Sequence, residues 1–293
     1  MKNLLVIADK SGGSNSGLKR ALAIQNNTGA TITLVGFCHA NLDHLEALSS
    51  KKVSRKTLEK KLLNNREAEL QTLADKHKNK AGKLSIIAMW GKHIAPAICT
   101  YCKEHPVDMV IKSGNHTGSI LYTSTDWQLI RECLAPVVIT SAKQWKKKPN
   151  IIAAVDLSSR SKAKKELNHI VVQQAQKLAG ALGENMHIVF ALKIPQALAD
   201  MDLIDANKYA KEKRQQLNPV IKEFCTLYNI DSSHIHIKRG EPAKIIPSIA
   251  NTLKADIVVT GTVGRKGLSG KLIGNTAESV MGRLRTDVMA VKL

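Results

Sequence analysis

Residues 255–264 read ADIVVTGTVG, a short apolar run that leads into two glycines. An uninterrupted branched run such as Ile257–Val259 predicts a β-strand covered on both faces, as in a parallel sheet. A third glycine, Gly274, follows Gly264 after nine intervening residues, and helical apolar spacing comes next, in residues 276–284. Because glycine lets the backbone approach a ligand closely and adopt positive φ, the segment predicts a phosphate cradle at the carboxyl edge of a sheet.

The spacing of the glycines distinguishes this cradle from better-known phosphate loops. A Walker loop needs Gly-Lys-Ser/Thr, and a dinucleotide fingerprint needs three closely set glycines. Gly261, Gly264 and Gly274 instead form the pattern Gly-x2-Gly-x9-Gly. A helix capped by Asn275 or Thr276 would add its own unpaired N–H groups to the cradle.

The chain is a duplicated unit. Each half opens with an apolar strand closed by aspartate, in residues 4–9 and 151–156. Further segments that correspond are 91–98 with 240–246, 107–111 with 255–259, and 135–139 with 286–291. A length of 293 residues also suits two domains of ordinary size. We therefore predict domains at 1–145 and 149–293, joined by the charged linker Gln144–Pro149.

Strands and helices alternate in each half, which predicts an α/β fold with two tandem, doubly wound, parallel five-stranded sheets. The predicted strands are 3–8, 31–37, 84–89, 107–112 and 136–140, then 150–155, 186–191, 234–238, 256–261 and 287–292. A long helix is predicted between the second and third strands of each half. Ligands in such sheets bind beyond the carboxyl ends of the strands, where the strand order reverses. Asp156 and Gly261 end the first and fourth strands of the second half, so we expect them to be neighbours at that point.

The glycine pattern and the duplicated order resemble the universal stress protein family, whose strand-4 loop and following helix hold ATP phosphates and ribose. The resemblance covers nearly the whole chain and implies Rossmann-like domains of the adenine-nucleotide alpha hydrolase type, related by a pseudo-twofold axis. It also implies that the C-terminal domain binds ATP, alone or with Mg²⁺. The implied site residues are Ala154, Asp156, Ala191, Thr260, Gly261, Gly264, Arg265, Gly274, Asn275 and Thr276. Asn275 departs from the Ser or Thr usual in the family, and Thr276 supplies a hydroxyl one position later.

The first half has lost this signature. Lys112–His116 stands where the first two glycines belong, and Thr123 with Ser124 stands where the third belongs. Side chains at these places would crowd a phosphate that needs bare backbone. We therefore predict one nucleotide site in the chain.

Several residues at the predicted site have alternative roles. Asp156 would equally serve as a cap for a helix beginning at Ser158 and Ser159. Arg265, Lys266 and Lys271 either neutralise phosphate charge or are ordinary solvated residues. The same cradle would also suit a receptor or carrier for another phosphorylated ligand, such as a nucleotide-sugar.

Catalytic constellations are scarce in the sequence. No carboxylate is clearly placed to activate water, and there is no Gly-x-Ser-x-Gly elbow. The sequence therefore favours a nucleotide-binding module over an efficient enzyme, with at most slow ATP hydrolysis.

Composition limits the remaining function classes. The formal charge of +20 divides almost evenly between the halves, and aromatic residues make up 3%, too few for the stacking platforms of single-strand binders. We interpret the lysines as solvated helix faces and expect no specific nucleic-acid partner. No stretch of about 18 apolar residues predicts a membrane span. Residues 1–4 lead straight into the first strand without a signal peptide, so we expect a cytoplasmic protein.

Cysteine and histidine residues are the remaining candidates for metal or redox chemistry. Cys99 and Cys102 form a Cys-x-x-Cys pair inside a predicted helix, where we interpret them as buried apolar residues rather than a metal or redox centre. His234 and His236 alternate on a predicted strand and are expected to pack rather than react.

The final strands of the two halves, 137–139 and 288–291, are apolar. An exposed apolar edge strand promotes aggregation unless it is paired or covered. Since fusion holds both strands at high effective concentration, we predict that they pair within the chain and that the protein is a monomer or a loosely associated dimer.

Overall fold

The computed structural model describes residues 1–48, 53–77, 82–116, 120–195, 201, 203–262 and 274–293. The chain separates into two units. The first comprises Met1–Gly114 and Thr123–Ala142, and the second comprises Asn115–Tyr122 and Lys143–Leu293.

The first unit contains a sheet of five parallel strands in the order β7-β4-β1-β2-β3. Its strands are β1 (Asn3–Ile7), β2 (Thr31–Cys38), β3 (Leu84–Trp90), β4 (Met109–Ser113) and β7 (Val137–Thr140). Its helices are α1 (Ser16–Thr28), α2 (Leu42–Leu48), α3 (Arg55–Asp75), α4 (Ile94–Glu104) and α5 (Ser124–Glu132). A short antiparallel hairpin, β5 (Asn115–His116) and β6 (Ile120–Leu121), lies between β4 and α5 in the sequence.

The second unit contains a sheet with the same order of connections, β10-β9-β8-β11-β12, and all its strands are parallel. Its strands are β8 (Ile151–Val155), β9 (Met186–Leu192), β10 (Ile235–Arg239), β11 (Ile257–Gly261) and β12 (Asp287–Val291). Its helices are α6 (Lys162–Leu182), α7 (Ala206–Tyr228), α8 (Pro242–Thr252) and α9 (Asn275–Met281), and a 3-10 turn spans Ser232–His234.

The α/β fold with two doubly wound parallel sheets is confirmed, and the ten sheet strands lie within two residues of their predicted bounds. The central strands were predictable because both of their faces are covered: all five residues of β8 and of β12 are buried. Two details differ. The predicted long helix of the first half is two helices, since Ser54 starts α3 by accepting a hydrogen bond from the Thr57 N–H (3.3 Å). The β5–β6 hairpin was not predicted.

The strand order positions the edge at which a ligand can bind. In the second unit the chain runs outward from β8 to β9 and β10, then returns to place β11 on the other side of β8. Connections therefore leave the carboxyl ends of β8 and β11 in opposite directions, which opens a crevice between them. Helix α6 packs against both strands and forms one wall of this crevice.

Residues 143–150, which include the predicted linker, are bonded to the second unit. The carboxylate of Asp256, 1% exposed, accepts a hydrogen bond from the Asn150 N–H (2.9 Å) and lies 3.5 Å from Lys146 Nζ. The Trp145 indole N–H donates to Oδ2 of the buried Asp287 (2.7 Å). Two buried carboxylates at the start of β11 and β12 thus anchor this segment.

Among the helices that the structure describes, none has both the length and the apolar character needed to cross a bilayer.

Candidate functional site

A cavity of about 620 Å³ opens in the second unit beyond the carboxyl ends of its central strands. Ala154 of β8 pairs in register with Thr260 of β11, so the two strands end side by side at the cavity. Small-molecule sites commonly have volumes of about 300–1,000 Å³. The cavity therefore has the size and the place that the doubly wound topology predicts for a ligand site.

Most of the residues proposed from the sequence surround this cavity. Those that line it are Ala154, Asp156, Ala191, Thr260, Gly261, Gly274, Asn275 and Thr276. Gly264 and Arg265 lie outside the described residues, as do Lys266 and Lys271. Asp156 directly follows β8 and Gly261 ends β11, and these two strands are neighbours, as expected.

Asp156 presents a carboxylate at the cavity wall. Its Oδ1 atom accepts hydrogen bonds from the Ser158 hydroxyl (2.8 Å) and the Ser158 N–H (3.2 Å). Helix α6 begins at Lys162, with Ser161 as the preceding cap residue. The alternative role of Asp156 as a helix cap is therefore wrong, and Ser158 instead fixes the orientation of its carboxylate.

Asn168, which the sequence did not single out, holds the backbone of Asp156 in place. Its side-chain Oδ1 accepts the Asp156 N–H (2.9 Å), and its Nδ2–H donates to the Asp156 carbonyl oxygen (2.8 Å). Asn168 is only 8% exposed and also lines the cavity. Because both backbone groups at the end of β8 are bonded to one buried amide, Asp156 is fixed by α6 as well as by its own strand.

Gly261 is required by the packing of α6 on β11. A Cβ atom at Gly261 would lie 2.6 Å from Leu167 Cγ and 2.7 Å from Leu167 Cδ2, far inside van der Waals contact. Leu167 is itself buried and lines the cavity. The first glycine of the motif therefore has a structural reason that does not involve a ligand.

The first unit has the same close contact between helix and strand, but its glycine lies on the helix instead of the strand. Ser113 ends β4 as Gly261 ends β11, and the small residue is now Gly17 on α1. A Cβ atom at Gly17 would lie 3.2 Å from Ser113 N, and the Gly17 N–H donates to the Ser113 hydroxyl (3.1 Å). Each unit thus has one glycine at the contact between its first helix and its fourth strand.

Gly274 marks the start of α9. It occupies the residue before the helix with φ +101°, a conformation that side chains rarely adopt, and a Cβ atom there would meet nothing within 4 Å. Asn275 is the first residue of the helix, so the expectation that Asn275 or Thr276 caps it is wrong. Backbone conformation, rather than lack of space, accounts for glycine at this position.

The walls of the cavity divide into an apolar and a polar part. Besides three alanines, its apolar side chains are Val155, Leu167, Val171, Phe190, Pro242, Ile246 and Val280. Among the described residues, the cationic side chains that line it are Lys164 and Lys193. Lys193 Nζ lies 3.8 Å from Glu241 Oε2, but both side chains are more than half exposed, so this ion pair holds the lysine only weakly.

In the first unit an ion pair occupies the corresponding place. In the parallel sheets, Lys112 of β4 lies in register with Ile7 of β1, and Thr260 of β11 lies in register with Ala154 of β8. Lys112 is therefore the counterpart of Thr260. Lys112 Nζ lies 2.8 Å from Oδ1 of Asp126, whose side chain is fully buried. Charged side chains therefore stand where the second unit has a cavity.

The first turn of α5 is also closed by its own side chains. The Thr123 N–H donates to Asp126 Oδ2 (2.7 Å), and the Asp126 N–H donates to the Thr123 hydroxyl (3.2 Å). This capping box consumes backbone donors and places a carboxylate where an anion would approach. At α9 the cap residue is Gly274, and it makes no side-chain cap bond.

Three histidines form a cluster elsewhere in the second unit. His236 Nε2 on β10 and His187 Nδ1 on β9 are 3.1 Å apart, and the His234 ring stands edge-on to His187 at 4.7 Å. Burial, followed by the charges of His234 and His236, lowers the pKa of His187 to about 4. His234 lies in the 3-10 turn rather than on the strand, so its predicted position is wrong. Nowhere in the described ranges do three or more His, Cys, Asp or Glu side chains form a group that could hold a metal.

Two doubly wound units, the second with a cavity at its switch point, define a tandem α/β protein of the doubly wound class. The sequence model of the universal stress protein family matches residues 1–141 and again 149–292. The chain therefore belongs to the universal stress protein family, as a tandem member with two such domains.

Relatives of this chain align with it over nearly its whole length. The universal stress protein E homolog of Haemophilus influenzae is 30% identical over 301 residues, covering 99% of this chain and 97% of the relative. Universal stress protein E of Escherichia coli K12 is 27% identical over 298 residues, covering 99% and 94%. A crystal structure of a putative universal stress protein from Pseudomonas aeruginosa UCBPP-PA14 is 25% identical, with a TM-score of 0.72 and coverage of 99% and 93%.

Proposed function

We propose that the second unit is a receptor for ATP or a closely related nucleotide, and that the protein acts in the stress response as a binding module rather than an efficient enzyme. The observation that carries this proposal is the cavity beyond β8 and β11, which is lined by Gly261, Gly274, Asn275 and Thr276 of the glycine pattern. Its position is the one where doubly wound sheets hold nucleotides.

The chemistry of the lining suits the parts of a nucleotide. The buried ring of Phe190 and the side chain of Val171 offer an apolar surface for a base. Asp156 offers a fixed carboxylate oxygen that accepts a hydroxyl or amino hydrogen. Lys164 and Lys193 supply positive charge for phosphates, which Mg²⁺ would share if it accompanies the nucleotide.

The proposal predicts one nucleotide per chain. The Lys112–Asp126 ion pair and the capping box of α5 occupy the equivalent place in the first unit. A phosphate there would have to displace a buried, paired carboxylate, which is strongly unfavourable. A stoichiometry of two in calorimetry with ATP would contradict this part of the proposal.

A single substitution in the second unit would introduce the carboxylate that Asp126 supplies in the first unit. Ala277 lines the cavity and is the third residue of α9, as Asp126 is the third residue of α5. In Ala277→Asp, a carboxylate would face the phosphates, and like charges a few ångströms apart repel by about 1–4 kcal/mol near a protein surface. We expect the affinity for ATP to fall at least about tenfold, measured by isothermal titration calorimetry.

The matched control is Ala277→Asn, which has nearly the same volume and no charge. We expect it to bind ATP within about threefold of the wild type, with the gap between the two variants shrinking as salt is raised. Equal affinity of both variants would remove the assigned phosphate position, and failure of the wild type to bind any nucleotide would refute the proposed function. Mass spectrometry of the molecule released from purified protein then distinguishes ATP from a nucleotide-sugar, and a phosphate-release assay measures turnover.

A further inference from the structure

The tertiary structure gives Cys102 a partner that the sequence did not suggest. Cys102 lies on α4 and Cys133 directly follows α5, and the Cys133 S–H donates a hydrogen bond to Cys102 Sγ at 3.6 Å. Cys133 is fully buried, whereas Cys102 is half-buried and therefore reachable from solvent. All five cysteines of the chain are thiols. The two thiols in contact are thus Cys102 and Cys133, not the Cys-x-x-Cys pair of the sequence.

Helix geometry separates the two pairings. Cys99 and Cys102 are three residues apart inside α4, where Cβ atoms are about 5–6 Å apart. A disulfide needs a Cβ separation of about 3.8 Å, so these two cannot join without unwinding the helix. Cys133 has extended backbone (φ −68°, ψ 134°) just after α5, outside any helical constraint. Its sulfur already lies in van der Waals contact with Cys102 Sγ, at 3.6 Å.

We propose that Cys102 and Cys133 are a modification site, at which a hydroperoxide oxidises the two thiols to a reversible disulfide. The half-buried Cys102 sulfur attacks one peroxide oxygen and the O–O bond breaks, which gives a sulfenic acid and one water from hydrogen peroxide, or an alcohol from an organic hydroperoxide. The Cys133 sulfur then attacks Cys102 Sγ, the S–O bond breaks, and the hydroxide leaves with the Cys133 proton as water. The thiols lose two electrons and two protons in total, and the peroxide gains them. Low-molecular-weight thiols reverse the reaction by exchange.

The environment of Cys102 sets the speed of this reaction. Its hydrogen bond with Cys133 and its burial raise the pKa of the Cys102 thiol. Since the thiolate is the reactive form, the bridge should form slowly at neutral pH and faster as the pH rises. The site is therefore suited to sustained oxidant exposure rather than to rapid sensing.

The bridge would constrain the part of the first unit that carries its ion pair. Residues 103–132 would become a closed loop that contains both Lys112 and Asp126. Closing a loop of this length restricts the unfolded chain, so the oxidised first unit should be more stable than the reduced one. This inference concerns the first unit and does not depend on nucleotide binding.

The test uses the full chain treated with hydrogen peroxide at neutral and alkaline pH, followed by digestion and mass spectrometry. We expect a peptide that joins Cys102 to Cys133, formed faster at the higher pH, and a rise in the melting temperature of roughly 5 °C that dithiothreitol reverses. Cys102→Ser and Cys133→Ser should abolish both results. Cys99→Ser, the matched control one turn away on α4, should preserve both.

Two outcomes would overturn the proposal. One is a bridge that joins Cys99 to Cys102, or that disappears in Cys99→Ser. The other is oxidation of Cys102 to sulfinic acid in the wild type without any bridged peptide. Because Cys133 is buried and its variant risks misfolding, the half-buried Cys102→Ser variant carries the decision alone if needed.

Discussion

The contact between Gly261 and Leu167 allows a direct test of why the motif begins with glycine. Gly261 does not have positive φ, so its backbone tolerates alanine. The added methyl carbon would lie 2.6–2.7 Å from Leu167 carbons, whereas such atoms attract best at about 3.5–4.0 Å. An overlap of about 1 Å in a packed interior is overpacking, and we expect Gly261→Ala to destabilise the second unit by about 1–3 kcal/mol.

The reciprocal change tests the same contact from the other side. Leu167→Ala removes a buried side chain that lines the cavity, and we expect a loss of about 2 kcal/mol, at the low end for leucine because part of its surface faces open space. In the double variant the methyl group at position 261 enters the room left by leucine. The double variant should therefore lose about 1–3 kcal/mol less free energy of unfolding than the two single variants lose together.

The assay is urea unfolding of the four proteins, followed by the fluorescence of Trp145, which belongs to the second unit. Phenylalanine in place of Trp90 and Trp127, the tryptophans of the first unit, removes their signal. A coupling energy below about 0.5 kcal/mol would refute the packing argument. If Gly261→Ala instead keeps its stability but loses ATP binding, the glycine serves the ligand and not the helix.

Two further predictions concern the histidine cluster and the anchored segment. Because the folded pKa of His187 is lowered to about 4 from about 6.5, its neutral form stabilises the fold above pH 6.5, and that contribution is lost as the pH falls toward 4. His187→Gln should therefore lose less stability between about pH 7 and pH 5 than the wild type, measured by scanning calorimetry. Trp145→Phe removes a donor from the buried carboxylate of Asp287, at a cost of about 1–3 kcal/mol, and should speed amide exchange in β12, measured by mass spectrometry.

Each of these predictions has a clear negative result. A pH dependence that is the same in His187→Gln and the wild type would exclude the cluster as its source. Exchange in β12 that is equally protected in Trp145→Phe would show that the indole bond adds nothing to the second unit. Trp90→Phe, a matching change in the first unit, should leave β12 protection unchanged.

Local sequence was enough to predict the fold and the edge that carries the site. Fully buried strands such as β8 and β11 are nearly pure apolar runs, and both halves repeat the same order, so composition and spacing reveal the sheets. Parallel strands bring their carboxyl ends to one edge, which is why Asp156 and Gly261 could be expected together. The pairing of the final strands of the two halves stays a prediction.

The roles of individual side chains depended on contacts between distant positions. Asn168 was missed because a buried amide on a helix has no local pattern that distinguishes it from any other polar residue. Asp126 carries a lysine partner only because β4 and α5 meet in the folded chain. The sequence showed that the glycines of the pattern are missing from the first unit, but not that an ion pair and a capping box stand in their place.

By itself, the sequence determined the duplicated α/β architecture, the strand positions and the second unit as the place of the candidate site, because periodic burial and glycine spacing are local properties of the chain. Only the tertiary structure decided that Gly261 is required by packing against Leu167, and that Cys102 contacts Cys133 instead of its sequence neighbour Cys99. Packing and proximity are set by the helices that cross each strand, and residues far apart in sequence meet there at distances that no local pattern records.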